Sequence, residues 1–212
     1  MSVQKAYDNW SQQYDTNENK TRDLEAQALR ETLASIAFDN CLEIGCGTGK
    51  TTAWLLTKAK NITAVDLSAE MLAKAKQKIN SEHVHFIQAD ILQDWNFIDT
   101  KYNLVSFSLV LEHIENLEQI FDKVSKVIAP GGYVYIGELH PFKQYTGTKA
   151  RFTTDEGEQI VACFNHHLSD FIQAAKNHDF DIVNINEYFD ENNRTAIPRI
   201  LSIILKQGNR AM

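Results

Sequence analysis

Apolar and polar positions along this chain fall into two alternating rhythms. Short apolar runs near residues 41–45, 62–66, 84–88, 103–108 and 133–138 read as buried strands. Between them, stretches near 22–37, 50–59, 69–79 and 117–128 read as helices. In the 69–79 stretch, Met71, Leu72, Ala75 and Ile79 share one face while Lys74, Lys76 and Lys78 fall on another, which reads as a solvated charged face. Strand and helix alternating in this way predict a doubly wound, mostly parallel α/β sheet. The last third departs from the pattern. After a helix at 168–176, the runs Phe180–Phe189 and Arg199–Leu205 flank a polar turn, Asp190–Thr195, and predict a terminal antiparallel pair. No internal repeat or low-complexity linker interrupts the 212 residues, so one domain is expected.

The first apolar run, Cys41–Ile44, breaks at Gly45, Gly47 and Gly49, and a helix is expected from Lys50. Glycines let backbone approach a ligand closely. A helix start adds free N–H groups and the positive end of a dipole, so the loop should favour an electron-rich or anionic group. Two phosphate motifs come close and fail. A nucleotide-triphosphate loop needs glycine at position 44, where the chain has isoleucine, and the dinucleotide fingerprint needs glycine at 50, where it has lysine. What remains is a glycine loop after an acidic Glu43, with Asp66 closing the next apolar run, where an acid can grip two ribose hydroxyls.

Composition narrows the function classes. The net charge is −7, with 21 Lys and Arg against 28 Asp and Glu, which argues against a long phosphate-backbone footprint, so nucleic acid is not the expected partner. No apolar stretch is long enough to cross a membrane, and Met1–Ala6 lacks a signal-peptide core. Cys41, Cys46 and Cys163 form neither an even disulfide set nor a metal pair, so a reducing, cytoplasmic compartment is expected. Adjacent His166 and His167 lack the spacing that aims two ligands at one metal, and no metal is expected.

Five segments occur in order: Glu43–Gly49, Val65–Ser68, Gln88–Leu92, Tyr102–Ile114 and Ala129–Ile136. Together they resemble the motifs of class I S-adenosylmethionine-dependent methyltransferases, particularly the small-molecule group that includes ubiquinone-biosynthesis enzymes. The resemblance covers roughly Tyr7 to Leu139 and weakens beyond it. It implies a Rossmann-like, seven-stranded sheet in an α/β/α sandwich, with an antiparallel last strand inserted at its edge. It also implies S-adenosylmethionine as cofactor, S-adenosylhomocysteine as product and a small-molecule acceptor methylated at O, N or C. A non-catalytic S-adenosylmethionine-binding protein and a protein or RNA methyltransferase stay open beside it, and oligomeric state is not readable.

The resemblance places Gly45, Gly47 and Gly49 along the cofactor, Asp66 on its ribose, Asp90 and Ile91 at its adenine, and Ser108 nearby. For Asp66 and Asp90 a helix N-cap is the other reading, although Ser68 is the better cap for its helix. Glu43 could hold the cofactor's amino group, or be a buried acid satisfied by loop amides. Leu67 and Met71 could cover the adenine, and Met71 could equally be core. Tyr7, Trp10 and Tyr14 recur at helical spacing; they either pack on the body or form a lid in which Tyr14 and Arg22 reach the cofactor carboxylate.

Methyl transfer from a sulfonium needs alignment first, and a general base only for a protonated acceptor. His140, directly after the fifth strand, is the first candidate base, followed by His166 and His167; alternatively Glu138–Pro141 is only a turn and His167 only orients a helix start. His113 reads as a structural hydrogen-bonding residue. The acceptor site is expected in the insertion after the fifth strand, from Phe142, Tyr145, Phe152 and Phe164 with Gln144, Arg151 and Asn165, although these aromatics could form a satellite core. The expected organisation is lid helices at 1–37, a cofactor core at 38–139, a substrate cap at 140–167, a helix and strand pair at 168–206 and a tail at 207–212.

Overall fold

The computed structural model describes residues 2–154 and 157–208. After α1 (Val3–Trp10) and α2 (Lys20–Leu33), the chain alternates β1 (Asn40–Ile44), α3 (Lys50–Leu55), β2 (Asn61–Asp66), α4 (Ala69–Lys78) and β3 (Val84–Gln88). It continues through β4 (Tyr102–Ser108), α5 (Leu117–Val127) and β5 (Ile128–Leu139). A short α6 (Pro141–Tyr145) and the hairpin β6 (Arg151–Thr154) and β7 (Gly157–Ile160) precede α7 (Leu168–Asn177), β8 (Phe180–Tyr188) and β9 (Ile200–Gln207).

The main sheet has seven strands in the order β3-β2-β1-β4-β5-β9-β8. The first five are parallel, and β9 inserts antiparallel between β5 and β8. The expected fold class is therefore observed, down to the inserted last strand. Strand order reverses between β1 and β4, and the carboxyl ends of an open parallel sheet at such a reversal form its ligand crevice.

Period-two alternation explains the two layers of helices. Leu42, Ile44, Val105, Phe107, Val134 and Ile136 bury against the α5 and α7 face. The intervening Cys41, Leu104, Tyr135 and Ile204 bury against Leu29 and Leu33 of α2, Leu55 of α3 and Leu72 of α4. Boundaries shift where caps act. Asn19 accepts the N–H groups of Thr21 and Arg22, so α2 starts at Lys20 and closes at Leu33, short of residue 37. Likewise β5 begins at Ile128, and its residues 129–132 bulge out of register between the pairs Tyr102↔Ile128 and Leu104↔Tyr133.

A third cluster joins the chain's beginning to its insertion. Ala6 and Trp10 of α1 pack with Met71, Phe152 and Val161, and Trp10 stacks on Phe152 with ring centroids 5.2 Å apart. Residues 209–212 of the expected tail lie outside the described residues, and Gln207 still belongs to β9. Among the described residues, no helix is long and apolar enough to cross a membrane.

Candidate functional site

The glycine loop leaves β1 and is pinned to its neighbour strand. Gly45 and Cys46 both donate to Val65 O, at 2.8 and 3.0 Å. Asp66, at the end of β2, then accepts Gly47 N–H on one carboxylate oxygen (2.7 Å) and Ser68 N–H on the other (2.9 Å). Ser68 caps α4 by accepting Met71 N–H, so Asp66 is not that helix's cap. Burial pushes the Asp66 carboxyl up, against the pull of these amides.

A cavity of about 380 Å³ opens at these strand ends. Gly45, Gly47, Asp66, Leu67, Asp90, Ile91 and Ser108 all line it, and so does Tyr14. Asp90 orders its own turn through Leu92 N–H, 2.9 Å from Oδ1. The carbon a side chain would add at Gly47 meets nothing within 4 Å, so the loop backbone stands open to a ligand. Leu109, also in the wall, has φ +56°, a left-handed conformation that costs a non-glycine residue about 1–2 kcal/mol.

Four expected cofactor residues stand elsewhere. Met71 is fully buried in the cluster with Trp10, because its place on α4 faces α1. Gly49 (φ +83°) starts α3, where a Cβ would sit 3.2 Å from that of Ala75, so its role is close helix packing. Glu43 is buried beneath the loop and accepts the Thr52 hydroxyl at 2.6 Å, in place of the loop amides expected for a buried acid. Arg22 donates to the main-chain carbonyls of Tyr14 and of Asn17 (2.9 Å), with its guanidinium 4.0 Å from the Tyr14 ring centroid. It lines a second cavity of about 290 Å³, which shares Tyr7, Tyr14 and Leu109 with the first.

None of the three candidate bases lines either cavity. His140 Nδ1 accepts Phe142 N–H at the start of α6, leaving Nε2 to donate to Glu187 (3.0 Å); it lines neither cavity. His166 is buried, with Nε2 2.7 Å from Ile114 O, and His167 precedes α7 with Nδ1 2.5 Å from the Tyr145 hydroxyl. Both also lie outside the two cavities. The histidine in the wall is His113. Its Nδ1 donates to Ala162 O (2.8 Å), which leaves Nε2 to accept the Tyr7 hydroxyl (2.8 Å). Its position just past the carboxyl end of β4, the same sheet edge as Gly45 and Asp66, was the available signal.

Of the expected acceptor residues, only Arg151 lines the second cavity. Phe152 is buried against Trp10, and Phe142 and Tyr145 are half exposed on α6. Gln144 is buried and accepts His166 N–H. The aromatic wall comes instead from Tyr7, Trp10 and Tyr14.

Buried acids surround this edge. Burial pushes Glu43 up to about 8, Glu138 to about 8 and Glu25 to about 7. Glu138 accepts the N–H groups of Val110 and Leu111, fixing the turn after β4 that carries His113. For Glu43, a folded value near 8 against an ordinary 4.5 means that the folded state holds the extra proton. The stability this contributes is complete below about pH 4.5 and is lost as pH rises towards 8, with a limiting slope of about 1.4 kcal/mol per pH unit. Glu43→Gln is therefore expected to gain stability relative to the parent between pH 5 and 8, approximately, as read by urea unfolding across that range. Parallel pH profiles for the two proteins would refute it.

The family described as "Methyltransferase domain" matches residues 42–136. The malonyl-[acyl-carrier protein] O-methyltransferase of Marinomonas sp. is 31% identical over 196 residues, covering 88% of this chain and 70% of that protein. The mitochondrial ubiquinone biosynthesis O-methyltransferase of Dictyostelium discoideum is 26% identical over 167 residues, 73% of this chain; the match spans about half of that relative, 49%. Among solved structures, N-methyltransferase NodS from Bradyrhizobium japonicum, in complex with S-adenosylhomocysteine, superposes with a TM-score of 0.73 at 20% identity, covering 98% of this chain and 99% of that one.

Proposed function

This chain belongs to the S-adenosylmethionine-dependent methyltransferases, and from that premise we propose that it moves a methyl group to a small-molecule acceptor held in the second cavity. The observation that carries this reading is the shared wall of Tyr7, Tyr14 and Leu109, which sets a recess of about 290 Å³ beside the cavity that holds the glycine loop, Asp66 and Asp90. The cofactor, when bound, supplies a methyl group already activated by a sulfonium charge. The protein's work is then to hold donor and acceptor in line and exclude water, which accounts for large effective molarities in such reactions.

Asp66 is assigned to the ribose hydroxyls, because its two oxygens accept one amide each and so keep acceptor capacity. Leu67, Asp90 and Ile91 suit the adenine, as apolar walls with one polar group beside them. Tyr14, in the wall the cavities share, and Arg22, in the wall of the second, suit the carboxylate end of the cofactor, with α1 and the insertion as the lid. Glu43 and Thr52 brace the loop from below. Tyr7 and His113 form a hydrogen-bonded pair that could pass a proton from a protonated acceptor.

Burial pushes the Tyr14 hydroxyl up to about 12, so it stays a neutral donor. Tyr14→Phe keeps the ring under Arg22 and removes that donor. It is expected to weaken S-adenosylmethionine binding about 10- to 100-fold, the worth of one hydrogen bond to a charged group. An unaltered Kd would remove Tyr14 from the site. The function itself is tested by calorimetric titration with S-adenosylmethionine and S-adenosylhomocysteine, with NAD and ATP as controls, followed by a methyl-transfer screen of small acceptors. Binding of the first two alone, with turnover of an acceptor, is expected. Binding without turnover of any small acceptor would refute the small-molecule assignment.

A further inference from the structure

The second cavity inverts the charge of the chain around it. Its wall carries five cationic side chains, Lys20, Arg22, Lys149, Arg151 and Arg199, and one carboxyl, Glu112. The chain as a whole has 28 acidic residues against 21 basic ones, so a wall of average composition would be acidic. These cations arrive from four separate places: the start of α2, the segment before β6, β6 itself and the approach to β9.

Part of this excess stays unanswered, since Lys20, Arg22 and Lys149 form no ion pair among the described residues. Arg199 is held by Asp190, which lies outside the cavity wall, with Nη2 2.7 Å from Oδ2, and it also donates to Thr21 Oγ1 at 3.1 Å. Arg22 makes no ion pair among the described residues, and its hydrogen bonds end on uncharged carbonyls. Its Nε and Trp10 Nε1 are buried donors with no acceptor, both on side chains of this wall. Glu112 is the one carboxyl in this wall, and burial pushes it up. The remaining lining, including Trp10, Leu109, Leu139 and Ala150, leaves room for a short apolar body.

We propose that this cavity is the acceptor subsite and that it selects small acceptors bearing an oxyanion, a carboxylate or a phosphoryl group, held by Lys20, Lys149, Arg151 and Arg199. This rests on the methyltransferase reading above. A concave recess of about 290 Å³ suits a small acid, and the chain's net charge of −7 disfavours a nucleic acid. An oxyanion selected in this way sits where opposite charges are concentrated and water is partly excluded, so its binding should fall with added salt.

The test uses the full chain loaded with S-adenosylhomocysteine, titrated calorimetrically with malonate, ethylphosphonate and the uncharged malonamide at low and high salt. At least one anion is expected to bind about tenfold or more tightly than malonamide, and more weakly at high salt. Whether malonate or ethylphosphonate binds separates a carboxylate from a phosphoryl preference. Lys20→Glu and Lys149→Glu are each expected to weaken that anion about tenfold while leaving S-adenosylhomocysteine affinity unchanged. Both lysines are exposed, and Glu at the first residue of α2 suits the helix dipole, so loss of fold is not the expected cause. Equal binding of malonamide, no binding of either anion, or an equal loss of S-adenosylhomocysteine in the variants would overturn the proposal. The last result would assign the cations to the cofactor's own carboxylate. If the parent chain does not bind S-adenosylhomocysteine at all, the methyltransferase reading fails first, and this one falls with it.

Discussion

Asp66→Ala is expected to weaken S-adenosylmethionine binding about 10²- to 10⁴-fold, with the fold intact. The assigned ribose hydroxyls would lose two hydrogen bonds to an ionised acceptor, each worth about 1.5–3 kcal/mol. The glycine loop would also lose its anchor, because Gly47 N–H and Ser68 N–H both end on this carboxylate. Stability should change far less. Burial raises the Asp66 carboxyl above its ordinary range, so its charge is held against a desolvation cost that alanine removes, and this offsets part of the lost hydrogen bonding. Calorimetry and a thermal melt on the same sample separate the two effects. A Kd equal to the parent's would remove Asp66 from the cofactor site, and collapse of the melt would make it a structural residue.

The second large effect separates two glycines that look alike in the sequence. Gly45→Ala is expected to cost about 2–5 kcal/mol of stability. Its φ of +74° is left-handed, about 1–2 kcal/mol for a side-chain-bearing residue. Its new Cβ would also lie 2.2 Å from Val110 Cγ2, a β-branched neighbour that must move bodily, at the about 1–3 kcal/mol typical of overpacking. Gly47→Ala meets no atom within 4 Å, so its stability cost should stay near the strain of φ +53° alone, about 1–2 kcal/mol. Because Gly47 lines the cavity, its methyl group takes space from the ligand, and S-adenosylmethionine affinity should fall more than stability does. Urea unfolding and calorimetry of both variants check the crossover. If both lose stability equally, the loop is uniformly packed and Gly47 does not face the cofactor.

The Trp10–Phe152 stack ties α1 to the hairpin, segments 142 positions apart in the chain (152 − 10), as the proposed lid requires. Residues at the seam of the two cavities, Tyr7 and Tyr14, would be ordered by that contact before either ligand arrives. Preordering of this kind lowers the conformational cost of bringing donor and acceptor into line.

The sequence by itself determined the sheet, its ligand edge and most of the residues that line the first cavity, because those depend on local rules. A strand buried on both faces must be continuously apolar, as Cys41–Ile44 and Leu104–Phe107 nearly are, and a loop turning through three left-handed backbones must use glycine, as residues 45, 47 and 49 do. An acid closing a strand before a separate helix cap could be read the same way at Asp66, which lines the cavity together with Asp90. Tertiary structure alone decided which histidine faces that cavity. Seven histidines share one chemistry, and only packing separates His113, bonded to Tyr7 from 106 positions away, from His140, spent on Phe142 and Glu187. It alone decided that Glu43 would be answered by Thr52, that Met71 would face α1, and that Lys20, Lys149, Arg151 and Arg199 would meet in one recess. Periodicity tells a residue which face of its own element it occupies. Which other element lies across from that face depends on the order and insertion of strands, here β9 between β5 and β8, and no local pattern carries that information.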